Sequence, residues 1–456
     1  MSDLPQHAAQ VATWIALGRP HYAYAPLFTL NWLTPYLLGY VLTRLFALFF
    51  SVPVAIKIVV SLSMAALPLS TARLLRSAGG DPRWAMIMAP LGFTMSFYWG
   101  FLNFLVATPA AILFLAHAFE YAQAPSRRKG AWLGFFAFFL LLCHALILAF
   151  SCAIAAIMIL GATKSWKRLW PLAMPWPAAV IWIIVTLNRD STLHQAVAYQ
   201  WNWARFSQFS SEIFGLSVGF DRVQFACALG LCVLPFLMGA RVRRSRLLPS
   251  AAATLLFFTL PFCVFGTSYI YPRFAVFVIP LALFGLEASS LPRLPRLGPA
   301  LGLALVLVSM LALTRRFRAY EDEARDFDAV LNAMEPGRTA LSLVYLPGSA
   351  AIAAPVFLHF PMWYEATRGG VVEPSFADGF PQLVRHRPTV GAMPSAWSPR
   401  DFRWETNGGH DYFVVRARAD VAPHLFAGKP VSLTVNRGLW WLYRRRPESV
   451  RITSRR

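Results

Sequence analysis

Residues 131–160 read AWLGFFAFFL LLCHALILAF SCAIAAIMIL, thirty consecutive positions without one charged side chain. A run of that length and polarity belongs to lipid or to a large buried core. As a single helix it would be ~45 Å long at 1.5 Å per residue, more than the ~30 Å hydrocarbon layer of a bilayer requires. Two short helices meeting near His144 fit that thickness and return the chain to the side it came from.

The rest of the sequence extends this reading. Hydrophobic residues make up 57% of the 456 positions and charged ones 14%, well below the roughly 25% charge of soluble domains. The shortage is uneven. The first 314 residues hold seven carboxylates (Asp3, Asp81, Glu120, Asp190, Glu212, Asp221, Glu287) and the remainder twice as many, so the chain divides near Thr314. Apolar runs at 53–72, 84–98, 101–121, 131–143, 146–160, 171–187, 224–240, 248–266, 274–289 and 298–314 predict about ten transmembrane helices. Leu33 to Phe50 is also apolar but carries Arg44, and reads as a juxtamembrane or re-entrant helix whose arginine snorkels to water.

The net charge of +21 does not imply nucleic acid. Lys and Arg sit in short clusters between apolar runs and not along one face, namely Arg73/Arg76/Arg83, Arg127/Arg128/Lys129, Lys164/Lys167/Arg168, Arg241/Arg243/Arg244/Arg246 and Arg293/Arg296. Two predicted spans separate each successive pair, so all five fit on the cytoplasmic side under the positive-inside rule. All five cysteines lie in apolar runs, which argues against a disulfide framework. The first 30 residues show neither the basic start nor the continuous apolar stretch of a cleavable signal peptide.

The expected organisation is therefore an outer loop and juxtamembrane helix over residues 1–52, an α-helical polytopic membrane domain over 53–314, and a small extracytoplasmic α/β domain over 315–456. In that last part Tyr320 to Met334 reads as an amphipathic helix, and Thr339 to Tyr345, Asp411 to Val415, Val431 to Val435 and Leu439 to Tyr443 as strands. It shows neither a Gly-rich phosphate loop nor a metal-ligand spacing.

Ionisable groups at a membrane boundary are costly unless they meet water or a partner. Asp3, with His7 four residues on, offers a general base or metal ligand, although its spacing alone favours an ordinary helix cap. His144 is a lone imidazole at the tip of an apolar pair, either a structural hydrogen-bonding group or a functional one. Asn103 fits a helix cross-link or a substrate contact. Arg273, beside Tyr271, suits a phosphate or an interfacial anchor. The loop carrying His194, Tyr199, Gln200, Trp201, Asn202, Trp203 and Arg205 suits sugar stacking or the lipid interface. His359, Trp363, Tyr364 and Asp411 stand in the soluble part at spacings that identify no reaction.

Asp3-Leu4-Pro5-Gln6-His7, Pro35-Tyr36-Leu37-Leu38-Gly39-Tyr40, helix pairs joined by small basic loops, and Tyr271-Pro272-Arg273-Phe274 with Pro280 beyond together resemble the C-type (GT-C) fold of membrane glycosyltransferases that use polyprenyl-phosphate sugars. The resemblance implies that Asp3 is the catalytic base or metal-assisting acid, aided by His7 or His144. It also implies that Arg273 binds the lipid phosphate, with Asn103, Tyr271 and Trp201 as further substrate contacts, and it leaves a divalent metal open as cofactor. It implies a helix ahead of the acidic loop and a second acid after the third helix, where this sequence has Asn103. The expected partners are membrane lipid, a polyprenyl-phosphate sugar and an extracytoplasmic acceptor. A lipid or polysaccharide transporter and a non-catalytic assembly protein are the rival classes. The charge pattern makes a direct prediction: cysteine labelling places Arg128, Lys167 and Arg243 in the cytoplasm, and Ser191, Tyr269 and the domain after Arg315 outside. Labelling of that domain from the cytoplasm would overturn the scheme.

Overall fold

Four helices are long and apolar enough to cross a bilayer, Val52–Ser77, Leu102–Gln123, Ala145–Thr163 and Leu297–Ala333, and a fifth span results if the pair Trp166–Ala173 and Trp176–Val185, bent by 49°, is counted as one. They associate the chain with a membrane. The computed structural model describes residues 1–189, 197–217, 219–264, 267–287, 297–379, 382–387 and 394–446. Ser191, His194, Gly266, Ser289, Arg293 and Arg296 lie outside the described residues. The chain divides into unit 1, from Met1–Asn31, Ala47–Ile56 and Phe317–Arg456, and unit 2, from Trp32–Phe46 and Lys57–Arg316.

In unit 2 the expectation of ten spans gives way to these four or five among the described residues. Residues 84–98 show why. Pro90 and Gly92 interrupt the run, which folds as the 3-10 turn Pro82–Ile87 and the short helices Met88–Leu91 and Met95–Trp99. Its apolar side chains Trp84, Ile87, Leu91, Tyr98 and Trp99 are buried in protein. Hydropathy registers apolar content and does not separate a lipid-facing helix from core backbone. Likewise Arg222–Leu237, Leu248–Thr259 and Tyr271–Phe284 are too short to qualify as spans. Leu38–Phe46 is the one helix within the stretch read as juxtamembrane.

The run 131–160 breaks where its length requires. Arg127–Cys143 ends and Ala145–Thr163 begins at His144, whose backbone is extended. Leu102–Gln123, buried along most of its length, packs against both and against Leu38–Phe46. On Leu297–Ala324 the exposed Leu303, Leu307 and Leu311 recur at four-residue spacing while Val306, Ser309 and Leu313 are buried, one face for lipid and one for protein. Gly302 lies on the packed face. A Cβ there would stand 2.9 Å from Met86.

Unit 1 holds the sheet. We label its strands, with one additional pair, β1 (Phe28–Leu30), β2 (Thr339–Val344), β3 (Val371–Glu373), β4 (Val384–His386), β5 (Tyr412–Arg416), β6 (Val431–Arg437) and β7 (Trp440–Arg445). Five strands run in the order β3-β2-β5-β7-β6. β2 is parallel to β3 and β5, whereas β5–β7 and β7–β6 are antiparallel. β5 is buried at every position, as a central Tyr-Phe-Val-Val run should be. β1 pairs with β4, Phe28 opposite His386.

Helix Leu4–Leu17, expected as part of a separate outer loop, instead belongs to this unit and packs on Met362–Arg368. Pro5 sits in its first turn, where a missing N–H costs nothing. Gln6, Gln10 and Thr13, spaced to share one face, carry a buried polar seam. The Gln6 amide donates to Pro374 O at 3.0 Å and accepts from Phe376 N at 2.9 Å. Gln10 brackets Val384, donating to its carbonyl at 3.0 Å and accepting from its N–H at 2.7 Å, as a neighbouring strand would. Thr13 donates to Glu365 at 2.7 Å. Replacing Gln10 by Ala strands both polar groups of Val384, and we expect a loss of about 2 kcal/mol. A denaturant titration of the purified protein in detergent checks this; an unchanged midpoint would show that the seam contributes nothing.

Candidate functional site

In unit 1, Asp3 precedes the first helix without capping it through its side chain. Its carboxylate is buried, with Oδ1 3.6 Å from Nε2 of His359. The other ring nitrogen, Nδ1, lies 3.3 Å from the Gln6 amide nitrogen. Because that nitrogen can only donate, Nδ1 is assigned as the acceptor, and a neutral His359 directs its Nε2–H toward Asp3. Burial holds the His359 pKa down at about 4, so the neutral ring is the form present near neutrality. His7 and His359 both meet Phe376 edge-on, at 5.6 and 5.3 Å between ring centres. Asp3 and His7 thus share one cluster with His359, a partner the sequence offered without any spacing to connect it.

A second group lies in the same unit. His386 stands between two carboxylates, with Nδ1 2.7 Å from Asp378 Oδ1 and Nε2 3.2 Å from Glu373 Oε1. The Nε2 contact is close but lacks hydrogen-bond alignment. Phe28 stacks on the ring at 4.9 Å. Burial, ahead of Asp378 and Glu365, raises the Glu373 pKa well above the carboxylate range. These three residues bring ligand atoms within 4.8 Å of one another. Their spacing along the chain matches no familiar motif. Tyr364 and Asp411 serve the fold: Tyr364 accepts from Arg338 N at 2.9 Å, and Asp411 accepts from Thr339 N and Oγ1, both at 3.0 Å.

In unit 2, four separately noted segments converge. Asn103 Oδ1 accepts from Gly39 N at 3.0 Å, tying Leu102–Gln123 to the start of Leu38–Phe46. A Cβ at Gly39 would stand 2.6 Å from that oxygen, so a larger residue displaces the Asn103 amide. His144 is fully buried, edge-on to Tyr36 at 4.7 Å and to Phe104 at 5.5 Å, and neither ring nitrogen has a hydrogen-bond partner among the described residues. The Arg273 guanidinium lies over Phe101 at 3.9 Å and within 5.8 Å of Phe104, and donates to the carbonyls of Tyr269 and Ser268 at 3.0 Å. Tyr271 donates to Gln208 at 2.8 Å and lies under the Arg205 guanidinium at 3.9 Å. Arg205, one of the loop residues suited to a sugar or the lipid interface, is buried and donates to Phe258 O at 2.8 Å at the end of Leu248–Thr259. Trp201 is exposed, its indole N–H donating to that same carbonyl at 3.0 Å.

Comparison with protein-family models, with characterised proteins and with solved structures finds no match to this chain.

Glu365 gives unit 1 a pH dependence. It accepts from Thr13 and from Val372 N, yet burial outweighs both bonds and raises its pKa from 4.5 to about 7. A folded pKa above the unfolded one means that the fold favours the protonated form. The stabilisation is complete below about pH 4.5 and is lost as pH rises through about 7. The span is worth on the order of 3 kcal/mol. Unfolding midpoints measured between pH 5 and 8 should fall with pH in the wild type, and less steeply in Glu365→Gln. Equal slopes would remove Glu365 as the cause.

Proposed function

We propose that this chain is an integral membrane glycosyltransferase-like protein of the C-type fold, set in a bacterial-type inner membrane with its C-terminal domain extracytoplasmic. It transfers a sugar from a polyprenyl-phosphate donor to an acceptor outside the cytoplasm. The supporting observation is the convergence in unit 2 of the Pro35-Tyr36 segment, Asn103, His144 and Arg273, joined through Phe101 and Phe104. Pro35-Tyr36 and Arg273 belong to the motifs on which the family resemblance rests, Asn103 stands where the family has an acid, and nothing in local sequence obliges these residues and His144 to meet. A buried imidazole with both nitrogens unpartnered is costly, as expected of a group kept for a ligand.

In this reading Asp3 takes the proton of the acceptor hydroxyl, and its neighbours His359 and His7 orient the carboxylate. His144 supplies a hydrogen bond to a substrate. Arg273 stabilises the departing lipid phosphate by a charge-assisted contact.

The test is sugar transfer from a polyprenyl-phosphate donor by the purified protein in detergent, with donor binding and unfolding measured in parallel. Asp3→Asn should abolish transfer and leave donor binding intact. Arg273→Ala should weaken donor binding by about 1.5 to 3 kcal/mol, roughly 10- to 150-fold, with part of the loss recovered in Arg273→Lys. Variants that shift the unfolding midpoint and leave transfer unchanged would assign Asp3 and Arg273 to the fold, and a wild type that transfers no sugar would assign the protein to an assembly role.

A further inference from the structure

We propose that Glu373 and His386, with Asp378 on the outer side of the imidazole, bind one divalent transition-metal ion of the Zn²⁺ or Mn²⁺ kind in unit 1. The site stands independently of the sugar-transfer reading and uses none of its residues.

The geometry of the pair carries the argument. His386 Nε2 and Glu373 Oε1 are 3.2 Å apart. Two donors sharing an ion at bond lengths of about 2.0 to 2.2 Å stand roughly 3.0 to 3.5 Å apart. Asp378 Oδ1, 2.7 Å from Nδ1, accepts the hydrogen bond of the Nδ1–H. A neutral imidazole so held turns its Nε2 lone pair toward the Glu373 carboxyl group; the contact lacks hydrogen-bond alignment, so a proton on that carboxyl does not bridge it, and an ion taking a lone pair from each does. A carboxylate on the far nitrogen of a metal-bound histidine is the usual way of fixing its tautomer and orientation.

The second observation is Glu373 itself. Its side chain is 5% exposed, and Oε2 has no hydrogen-bond partner among the described residues. A buried carboxylate oxygen left unsatisfied costs more than most folds tolerate. The surroundings are also built to hold the ligands still. Gln6 bonds Pro374 and Phe376 on the segment that follows Glu373, and Phe28 stacks on the His386 ring. The mixed imidazole and carboxylate set favours Zn²⁺ or Mn²⁺ over Mg²⁺ and Ca²⁺, which prefer oxygen ligands alone. Water completes the coordination.

The full chain, purified in detergent and stripped with EDTA, is titrated with Zn²⁺ and with Mn²⁺ by calorimetry, and its metal content is measured after desalting. The wild type should retain about one ion per chain, and the ion should raise its unfolding midpoint. Asp378→Asn, at a half-exposed position, should keep the EDTA-state midpoint and lose roughly 10- to 100-fold in affinity, as outer carboxylates of metal-bound histidines do. Glu373→Gln and His386→Ala should lose binding altogether. No retained ion in the wild type, or wild-type affinity in Asp378→Asn and Glu373→Gln, overturns the proposal and leaves His386 as an imidazolium between two carboxylates.

Discussion

Buried backbone must be hydrogen-bonded, and in this protein side chains repeatedly supply the bond where helix or sheet ends. In unit 1 the Gln6 and Gln10 carboxamides satisfy Pro374, Phe376 and Val384. In unit 2, Asn103 accepts from Gly39 N, Gln224 donates to Gly215 O at 2.7 Å, and Glu212 accepts from Met95 N at 2.8 Å. Arginines do the same for carbonyls: Arg205 at Phe258, Arg246 at Ala78, Arg273 at Tyr269 and Ser268. Each guanidinium offers five donors in a fixed fork and stays charged when buried.

This constraint explains how unit 2 tolerates so much irregular backbone. A membrane admits non-helical chain only where protein or water satisfies it. Met88–Leu91 and Met95–Trp99 lie inside the protein, and Glu212 reaches the first N–H of the latter. Leu297–Ala324 keeps an exposed leucine stripe, whereas the broken pieces are buried among other parts of the chain. Both are apolar, for different reasons: one faces lipid, the other faces protein.

The same bonds bear on chemistry. A side chain that closes off backbone is held rigidly, so Asn103 and Arg273 are oriented groups whether or not they also meet a ligand. His144 differs from them, because its immediate neighbours are aromatic edges and its nitrogens are left over. Asp3 and Glu373 are buried carboxylates with an imidazole nitrogen at 3.6 and 3.2 Å. Groups of this kind weaken a fold and are retained where something else needs them.

The sequence by itself determined what depends on near neighbours. The break at His144 followed from the length of an uncharged run, and the sheet strands β2, β5, β6 and β7 from short apolar runs between turns. The division of carboxylates marked off the C-terminal part, although helix Leu297–Ala324 continues past Thr314. Asp3, His7, Asn103, His144 and Arg273 were legible as costly groups in apolar surroundings. The tertiary structure alone decided which of them meet. Gln6 and His359 are 353 positions apart and Gln10 and Val384 are 374 apart, and no periodicity carries information over such separations. His359, Glu373, Asp378 and His386 look ordinary in the chain because their neighbours there are not their neighbours in space. Whether an apolar residue faces lipid or core is settled in the same way, by what the rest of the chain places beside it.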